Sequence, residues 1–465
     1  MTLSSIDWVI LIAYLMFLLF IAVRISREKR TGEESYLLDG RRLTLPSFVA
    51  TTVSTWYGGI LGVGEYSYKH GLSNWLVFGV PYYLAALIFA LFIAERARKS
   101  RLMSIPDQLN RAYGGKMAVG GSIFVFVMTV PAVYVLMLGV LINLLLGWSL
   151  TTGVIIATLV SSGYVLIGGF RSVIRTDWLQ FSLMFLAFFL IVGKLFSSYG
   201  GLSYLQASLP ATHFNWRGGM SAGYIFSWYF IALSALVEPA FYQRSFAAKT
   251  PKIAKRGLLY SILFWMLFDF MTTSTGMFAR AILGEGIKGI NAFPLLADVV
   301  LPAGIKGLFV VGLMTTIMST IDSYSFLAAS TIGRDVLWRI KSIKSRIGQV
   351  GITRWGLVVS GLSAIAIALT TESVVDIWHR LGSLGTPALL LPLALSYSNK
   401  WKYRPGWAIA NLISAPTVVG LWFIVRSVLD NPGFPWSIQP IFSGLVVSVV
   451  FLIVDHLTRN EREVK

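Results

Sequence analysis

Apolar stretches of about 20 residues follow one another along almost the whole chain, and a helix of that length spans the hydrocarbon core of a bilayer. The first stretch, IDWVILIAYLMFLLFIAV, begins at residue 6. Of the 465 residues, 55% are hydrophobic and only 13% are charged, which is not the composition of a soluble protein. The sequence therefore predicts an all-α polytopic membrane protein.

A hydropathy pass along the chain predicts about 13 spans. They lie near residues 6–24, 46–68, 73–95, 117–147, 150–168, 172–196, 219–243, 256–280, 305–333, 354–371, 374–397, 404–427 and 437–457. The first has no basic segment before it and no small-residue cleavage site, which is typical of a membrane span and not of a signal peptide. The loops between spans are short, so we expect any functional site to lie inside the helix bundle.

Basic residues are distributed unevenly between the two sets of loops. One set, with the helix ends beside it, holds 31 of the 39 Lys and Arg residues. The positive-inside rule then predicts a plasma (inner) membrane protein with its N-terminus outside and its C-terminus inside. The net charge of +18 has this explanation, so we expect no nucleic-acid partner. The sequence does not predict the oligomeric state.

The sequence offers little for enzyme chemistry. Cysteine is absent and only four His are present, which disfavours disulfides and zinc sites. The HExxH motif, a phosphate-binding glycine loop and a nucleophile motif are also absent. We expect a protein that is not an enzyme and has no cofactor.

One apolar helix is unusually rich in oxygen. GLMTTIMSTIDSYSFLAAST, residues 312–331, holds eight Ser and Thr and one Asp. Thr316, Ser319, Thr320 and Ser323 follow helical spacing and share one face, with Asp322 close by. Such hydroxyls often bond to their own helix carbonyls, but a whole face of oxygens also suits a dehydrated hard cation.

The second span carries the other unusual pattern, TTVSTWYGGILGVGEY. Gly58, Gly59, Gly62 and Gly64 crowd its second half. Glycines in a span permit either close helix packing or local unwinding, and unwinding exposes backbone carbonyls to an ion near the membrane midplane. Ionisable residues inside spans are candidates for function by default. They are Glu65, Asp177, Glu238, Asp269, Asp322, His379 and Arg380.

Four blocks in order resemble the sodium:solute symporter family, which includes sodium-coupled sugar, proline, sialic acid and choline transporters. The blocks are TTVSTWYGGILGVGEY, GGFRSVIRTDWLQ, VEPAFYQRSFAAKTPKIAKRG and AFPLLADVVLPAGIKGLFVVGLMTTIMSTIDSYSFLAASTIGRD. The resemblance implies a LeuT-type core of two inverted five-helix repeats. The implied division is an extra helix at 1–45, repeats at 46–200 and 201–400, and two final helices at 401–465.

The same resemblance implies sodium ligands. The first site would use the carbonyls of Ala50, Val53 and Thr316 and the hydroxyls of Ser319 and Thr320. A candidate second cation site falls on Asp177, Ser319, Asp322 and Ser323, where Asp322 replaces a Ser common in members of that kind. The implied function is sodium-coupled uptake of a small organic solute by alternating access.

The solute itself is left open by conflicting signals. The positions expected to contact it are Thr52, Trp56, Tyr57, Asn74, His379 and Arg380. Arg380 favours a carboxylate, whereas Trp56 favours a cation through its aromatic face. An anionic carboxylate, a neutral polyol or sugar and a quaternary amine all stay open, with a slight preference for a carboxylate-bearing or neutral solute. A proton-coupled or uncoupled carrier, and a transporter-like sensor acting with a separate partner, are the alternatives.

Overall fold

The computed structural model describes residues 1–26, 32–337, 349–370, 374–398, 400–428 and 439–463. This part of the chain is nearly all helical and contains no strand, only one isolated bridge between Leu43 and Ala248. The basic segment WRIKSIKSR, which the charge analysis placed inside the cell, lies outside the described residues.

The long helices and the segments that continue them form a single bundle. In chain order they are α1 (Ser5–Ser26), α2 (Leu45–Trp56), α3 (Ile60–His70), α4 (Trp75–Lys99), α5 (Gly115–Thr129), α6 (Ala132–Leu146), α7 (Leu150–Tyr199), α8 (Ala222–Ile231), α9 (Pro239–Ala247), α10 (Pro251–Leu283), α11 (Ile305–Ser330), α12 (Gln349–Ala368), α13 (Val374–Leu395), α14 (Pro405–Val428) and α15 (Pro440–Glu463). Shorter helices cover Glu33–Leu38, Ile105–Tyr113, Leu202–Ser208 and Ala292–Val300.

The outer surface of the bundle is apolar. Within the described residues, nine helices are long and apolar enough to cross a membrane. Large apolar side chains such as Val9, Leu362 and Val428 are well exposed on it. In water such a surface would be unstable, and in a bilayer it is in contact with lipid.

The spans predicted at residues 150–168 and 172–196 are two helical segments of α7, separated by a sharp kink. The kink is at Gly169, which has φ 61°. A Cβ there would come within 2.7 Å of the Tyr36 ring, so both the backbone conformation and the packing require glycine.

The helix that contains the glycine cluster is broken over a single short turn. α2 ends at Trp56, residues Tyr57–Gly59 form a 3-10 turn, and α3 begins at Ile60. A Cβ on Gly58 would lie 2.1 Å from Thr320 Oγ1, and one on Gly59 would lie 2.0 Å from the Trp378 ring. These two glycines let the break approach α11 and α13.

The other two glycines of the cluster do not contribute to the break. Gly62 and Gly64 lie within regular α3. A Cβ on Gly62 would come within 2.9 Å of Val374, and one on Gly64 within 3.0 Å of Phe293. They serve close helix packing, the alternative that the sequence had left open.

A second break separates α8 from α9. Residues Ala232–Val237 tighten into a 3-10 helix, and Glu238 leaves the helical region with ψ 111°. Pro239 cannot continue the preceding helix because it lacks an N–H, and it begins α9 instead. Glu238 caps α9 by accepting a hydrogen bond from the Ala240 N–H at 3.1 Å.

The oxygen-rich helix α11 lies at the centre of the bundle. Of its residues, only Ile305, Lys306 and Leu308, all in the first turn, are not buried. It packs most extensively against α7 and also contacts α2 and the turn that follows it. Because α11 meets protein on all sides, its hydroxyls face other helices and not lipid.

Candidate functional site

A cavity of about 160 Å³ lies between the two broken helices, α10, α11 and α13. Seven aromatic side chains form most of its wall: Trp56, Tyr57, Phe78, Tyr82, Tyr134, Tyr324 and Trp378. Two carboxylates, Glu238 and Asp269, also line it, together with small and apolar residues and Ser234. Among the described residues that line this cavity there is no Lys, Arg or His.

The aromatic wall is held in place by ring packing. The Trp56 ring lies 5.0 Å from Phe241 and 5.3 Å from Trp265, measured between centroids. Tyr82 meets the same ring edge-on at 5.5 Å. Contacts of this geometry are favourable beyond the area that they bury. The Trp56 side chain is therefore positioned before any solute arrives.

Asp269 lies on α10 and is almost completely buried. Its Oδ2 accepts a hydrogen bond from the Tyr83 hydroxyl. The Tyr57 hydroxyl, close to the same carboxylate, donates to the Trp265 carbonyl at 2.9 Å. No described Lys, Arg or His nitrogen lies within 4.0 Å of Asp269.

Glu238 connects the second break to α11. Its Oε1 accepts hydrogen bonds from the Ala240 N–H and, at 2.9 Å, from the Tyr324 hydroxyl. Tyr324 belongs to α11, one residue beyond Ser323. The sequence analysis listed Glu238 among the ionisable residues inside spans, and in the structure its side chain lines the cavity.

The five residues proposed for the first sodium site are all buried where α2 meets α11. Ser319 donates its hydroxyl proton to Asp177 Oδ1 at 2.6 Å, and Thr320 donates to the Thr55 carbonyl at 2.7 Å. The Ala50 carbonyl accepts from Ser54, and the Thr316 carbonyl accepts weakly from Thr320. Since both hydroxyl protons point at other acceptors, the lone pairs of both oxygens are left for a cation.

The four residues of the candidate second site are also buried, but a cation of the chain itself lies among them. Arg244 Nη2 donates to Ser323 Oγ at 2.6 Å and to Thr55 Oγ1 at 2.8 Å. The same nitrogen lies 3.1 Å from Thr51 Oγ1 and 3.8 Å from Asp177 Oδ2. The guanidinium is fully buried, with the Phe170 ring 5.2 Å from its carbon. We call this group of residues the Arg244 cluster.

A narrow crevice separates the cavity from the Arg244 cluster. Thr52, Trp56, Phe241, Arg244 and Tyr324 line it, and Trp56 and Tyr324 also line the cavity. The Trp56 and Tyr324 side chains thus lie between the cavity and the crevice that reaches Arg244.

Only two of the six predicted solute contacts line the cavity, Trp56 and Tyr57. Thr52 lines the crevice instead, and Asn74 donates to Thr273 Oγ1 at 2.9 Å away from the cavity wall. His379 contacts Gln439 at 3.0 Å, and Arg380 is exposed on α13. The residue of α13 that reaches the cavity is their neighbour Trp378.

Sequence reasoning gave no cavity role to Tyr82, Tyr134, Tyr324 or Asp269. Asp269 carried a signal, since a carboxylate in an apolar span marks a site. The tyrosines carried none, because an aromatic residue in a span is equally suited to the lipid interface.

Comparison with known proteins identifies the group to which this architecture is related. Residues 36–400 match the sodium:solute symporter family. The High-affinity proline transporter PutP of Bacillus subtilis is 27% identical over 456 residues, covering 92% of this chain and 93% of that transporter. The High affinity choline transporter 1 of Homo sapiens is 25% identical over 463 residues, covering 91% of this chain and 78% of that transporter.

The fold has a close counterpart among solved structures. A Na⁺-coupled sialic acid symporter in a substrate-bound outward-open state superposes with a TM-score of 0.79 and 18% identity, covering 98% of this chain and 97% of that one. The predicted all-α, LeuT-type membrane fold is confirmed. The repeat boundaries at residues 46, 200 and 400 stay a prediction.

Proposed function

The chain belongs to the sodium:solute symporter family, and we propose that one sodium ion bound between α2 and α11 drives a small organic solute through the aromatic cavity. The family and the relatives are transporters and not enzymes, and their transport is coupled to sodium. The proposal concerns which residues of this chain bind the ion, how many ions bind, and how the ion acts on the cavity.

The orientation of the Ser319 and Thr320 hydroxyls carries the assignment of the ion site. Both protons are already donated, to Asp177 and to the Thr55 carbonyl, so both oxygens present lone pairs. Sodium is a hard cation that prefers oxygen ligands. The carbonyls of Ala50, Val53 and Thr316 complete the proposed ligand set, and the Asp177 carboxylate favours a positive charge close by.

The Arg244 cluster supports a stoichiometry of one sodium ion. A guanidinium donating to Ser323 and Thr55 takes the place that a second cation would need. A second sodium ion in this buried site would lie close to the Arg244 guanidinium, and the two positive charges would repel each other strongly. We assign the second cation position in this chain to Arg244 and not to a sodium ion.

Coupling follows from the position of the ion at the first break. The turn after α2 already contacts α11 through Gly58 and Thr320. A sodium ion joining α2 to α11 would hold the break in the arrangement that places Trp56 and Tyr57 in the cavity wall. Ion and solute then favour the same conformation, which is a reciprocal coupling of their affinities.

For orientation we propose an N-terminus outside the cell and a C-terminus inside, in the plasma (inner) membrane. The uneven distribution of Lys and Arg between the loops supports it. Sodium would then enter from outside, where it is abundant, and dissociate inside.

Thermal unfolding of the purified protein in detergent tests the ion site. NaCl is titrated against KCl at constant ionic strength with no solute present. Sodium at about 100 times its Kd should stabilise the native state by about 2.7 kcal/mol, and potassium should not. Ser319→Ala should abolish this difference.

The matched control is Ser261→Ala, which removes a buried hydroxyl that donates to the Gly257 carbonyl of its own helix at 2.8 Å. It should keep the sodium effect. Equal stabilisation by the two salts in the wild type would rule out this ion site and leave proton-coupled or uncoupled transport.

A further inference from the structure

We propose that the solute is a small organic cation, whose positive charge is balanced by Asp269 and Glu238. This inference rests on the proposed function, because it assumes that the aromatic cavity is the solute site. It differs from the weak preference for a carboxylate or neutral solute that Arg380 suggested from sequence. Arg380 is exposed and does not line the cavity.

The charge of the cavity wall disfavours an anionic solute. Apart from its tyrosines, its two ionisable residues are both acids, and no described basic residue lines it. An anionic solute would therefore bring a third negative charge beside two carboxylates in a buried site. Such repulsion is costly away from bulk water, so a carboxylate-bearing solute without a compensating cation is disfavoured.

The surroundings of Asp269 favour a cation in the cavity. This carboxylate is buried in the bundle, and its neighbours are the neutral Tyr83 and Tyr57 hydroxyls. A buried carboxylate without a cationic partner is expensive. The space in front of it is the cavity, so a cation in the cavity would supply the missing charge.

Glu238, the second carboxylate of the wall, has no Lys, Arg or His nitrogen of the described residues within 4.0 Å. Arg244 acts on it electrostatically, but the Arg244 guanidinium forms its hydrogen bonds with Gln243, Ser323, Thr55 and Thr51 and lies 3.8 Å from Asp177. The Glu238 carboxylate accepts two hydrogen bonds from uncharged groups, Ala240 N–H and Tyr324 O–H. Neither bond neutralises it.

The size and the walls of the cavity define the kind of cation. A cavity of about 150 Å³ holds a benzene-sized molecule, and this one measures about 160 Å³. Rings of Trp56, Tyr82, Tyr134 and Trp378 surround the space. Aromatic faces attract an ammonium group by a cation–π interaction, most strongly when water is excluded. The geometry points to an amine or quaternary ammonium compound of few heavy atoms.

The test compares three compounds of similar shape that differ in charge, so that the effect of charge can be distinguished from that of size. Choline, the neutral 3,3-dimethylbutan-1-ol and the anionic 3,3-dimethylbutanoate share a branched head of similar volume, and ethanolamine adds a smaller cation. Each is titrated into the purified protein in NaCl while thermal unfolding is followed. We expect at least one of the two cations to raise the unfolding temperature and the neutral and anionic compounds to have no comparable effect. Stabilisation by the neutral or anionic compound that equals or exceeds that of both cations, or by none of the four, overturns the inference.

Variants of the two carboxylates identify the groups responsible. Asp269→Asn and Glu238→Gln should each weaken the binding of the stabilising cation at least tenfold while sodium alone still stabilises the protein. Asp298→Asn is the control, since that residue pairs with Lys306 outside the cavity. Unchanged cation affinity in both cavity variants overturns the inference. If Asp269→Asn does not fold, Glu238→Gln and the wild-type comparison decide the question.

The two proposals fail in different ways. If sodium stabilises the wild type without solute but no cation is preferred, the solute class is wrong and the ion site stands. If sodium has no effect that potassium lacks, the proposed function fails before the solute series begins.

Discussion

Among the described residues, Arg244 is the only Lys or Arg that is buried. It is a fully buried cation that donates hydrogen bonds to hydroxyls on α2 and α11 and to the Gln243 side-chain oxygen, with the Asp177 carboxylate at 3.8 Å. Buried charges are retained only where their partners satisfy them. Its position among the second-site residues is what limits the proposed coupling to one sodium ion.

Replacing Arg244 by Gln should make stability depend more steeply on sodium. The change removes the resident cation and leaves the Asp177 carboxylate buried, at a cost of about 3–5 kcal/mol in low sodium. A sodium ion should then bind in its place. Thermal unfolding over a range of NaCl concentrations measures this, with KCl as the control. A variant whose sodium dependence equals that of the wild type would show that Arg244 does not occupy a cation site.

Gly58 offers a second prediction at this scale. A Cβ there would lie 2.1 Å from Thr320 Oγ1, so Gly58→Ala must push the break away from α11. We expect a loss of stability of about 1–3 kcal/mol and a sodium affinity at least tenfold weaker, measured by the thermal assay. Gly223→Ala is the control, because nothing lies within 4 Å of its added Cβ. Wild-type sodium affinity in Gly58→Ala would contradict the ion site at this contact.

Among the elements, α11 contributes residues both to the proposed ion site and to the cavity. Ser319 and Thr320 belong to the proposed ion site, and Tyr324, just beyond, lines the cavity and bonds to Glu238. A shift of this one helix therefore changes both sites together. A helix with two functions on one rigid axis is a direct route for coupling two ligands.

Tyr324→Phe should separate sodium binding from solute binding. Removing the hydroxyl breaks the 2.9 Å bond to Glu238 while leaving the ring. Sodium should still stabilise the protein, but the affinity for a stabilising cation should fall and should no longer increase with sodium. Tyr113→Phe, which removes a hydroxyl that donates to the Pro392 carbonyl, should behave like the wild type. Intact sodium dependence of solute binding in Tyr324→Phe would mean that coupling does not pass through this bond.

The hydroxyl-rich α11 could be predicted from sequence because eight Ser and Thr and an Asp in one apolar span have few structural reasons to be there. The cavity could not. Its wall comes from residues between Trp56 and Gly382, and which side of each helix faces inward is set by packing over long separations. Arg380 illustrates the limit, since it lies two residues beyond Trp378, about 200° around the helix, and only Trp378 of the two lines the cavity. The Arg244 cluster was hidden for the same reason, because Arg244 and Asp177 are brought together only by the fold.

On the scale of the whole molecule, an apolar exterior surrounds a polar interior. The described helices expose large apolar side chains outward, while α11 keeps its hydroxyls inside. This arrangement is the one that a bilayer requires. The orientation of the protein in the membrane is predicted from the sequence alone, by the charges in the loops.

The absence of cysteine makes that orientation easy to measure. Thr2→Cys should react with an impermeant maleimide added to intact cells, because the N-terminus is expected outside. Lys99→Cys should react only after the membrane is permeabilised. Both positions are exposed, so accessibility reports the side of the membrane. The opposite labelling pattern would invert the proposed topology.

The binding of ²²Na⁺ to the purified protein at equilibrium tests the central claim most directly, because it needs no knowledge of the solute. We predict one ion per chain, displaced by unlabelled sodium and not by potassium, lost in Ser319→Ala and retained in Ser261→Ala. Binding that persists unchanged in Ser319→Ala, or a stoichiometry of two ions with Arg244 in place, would contradict the account.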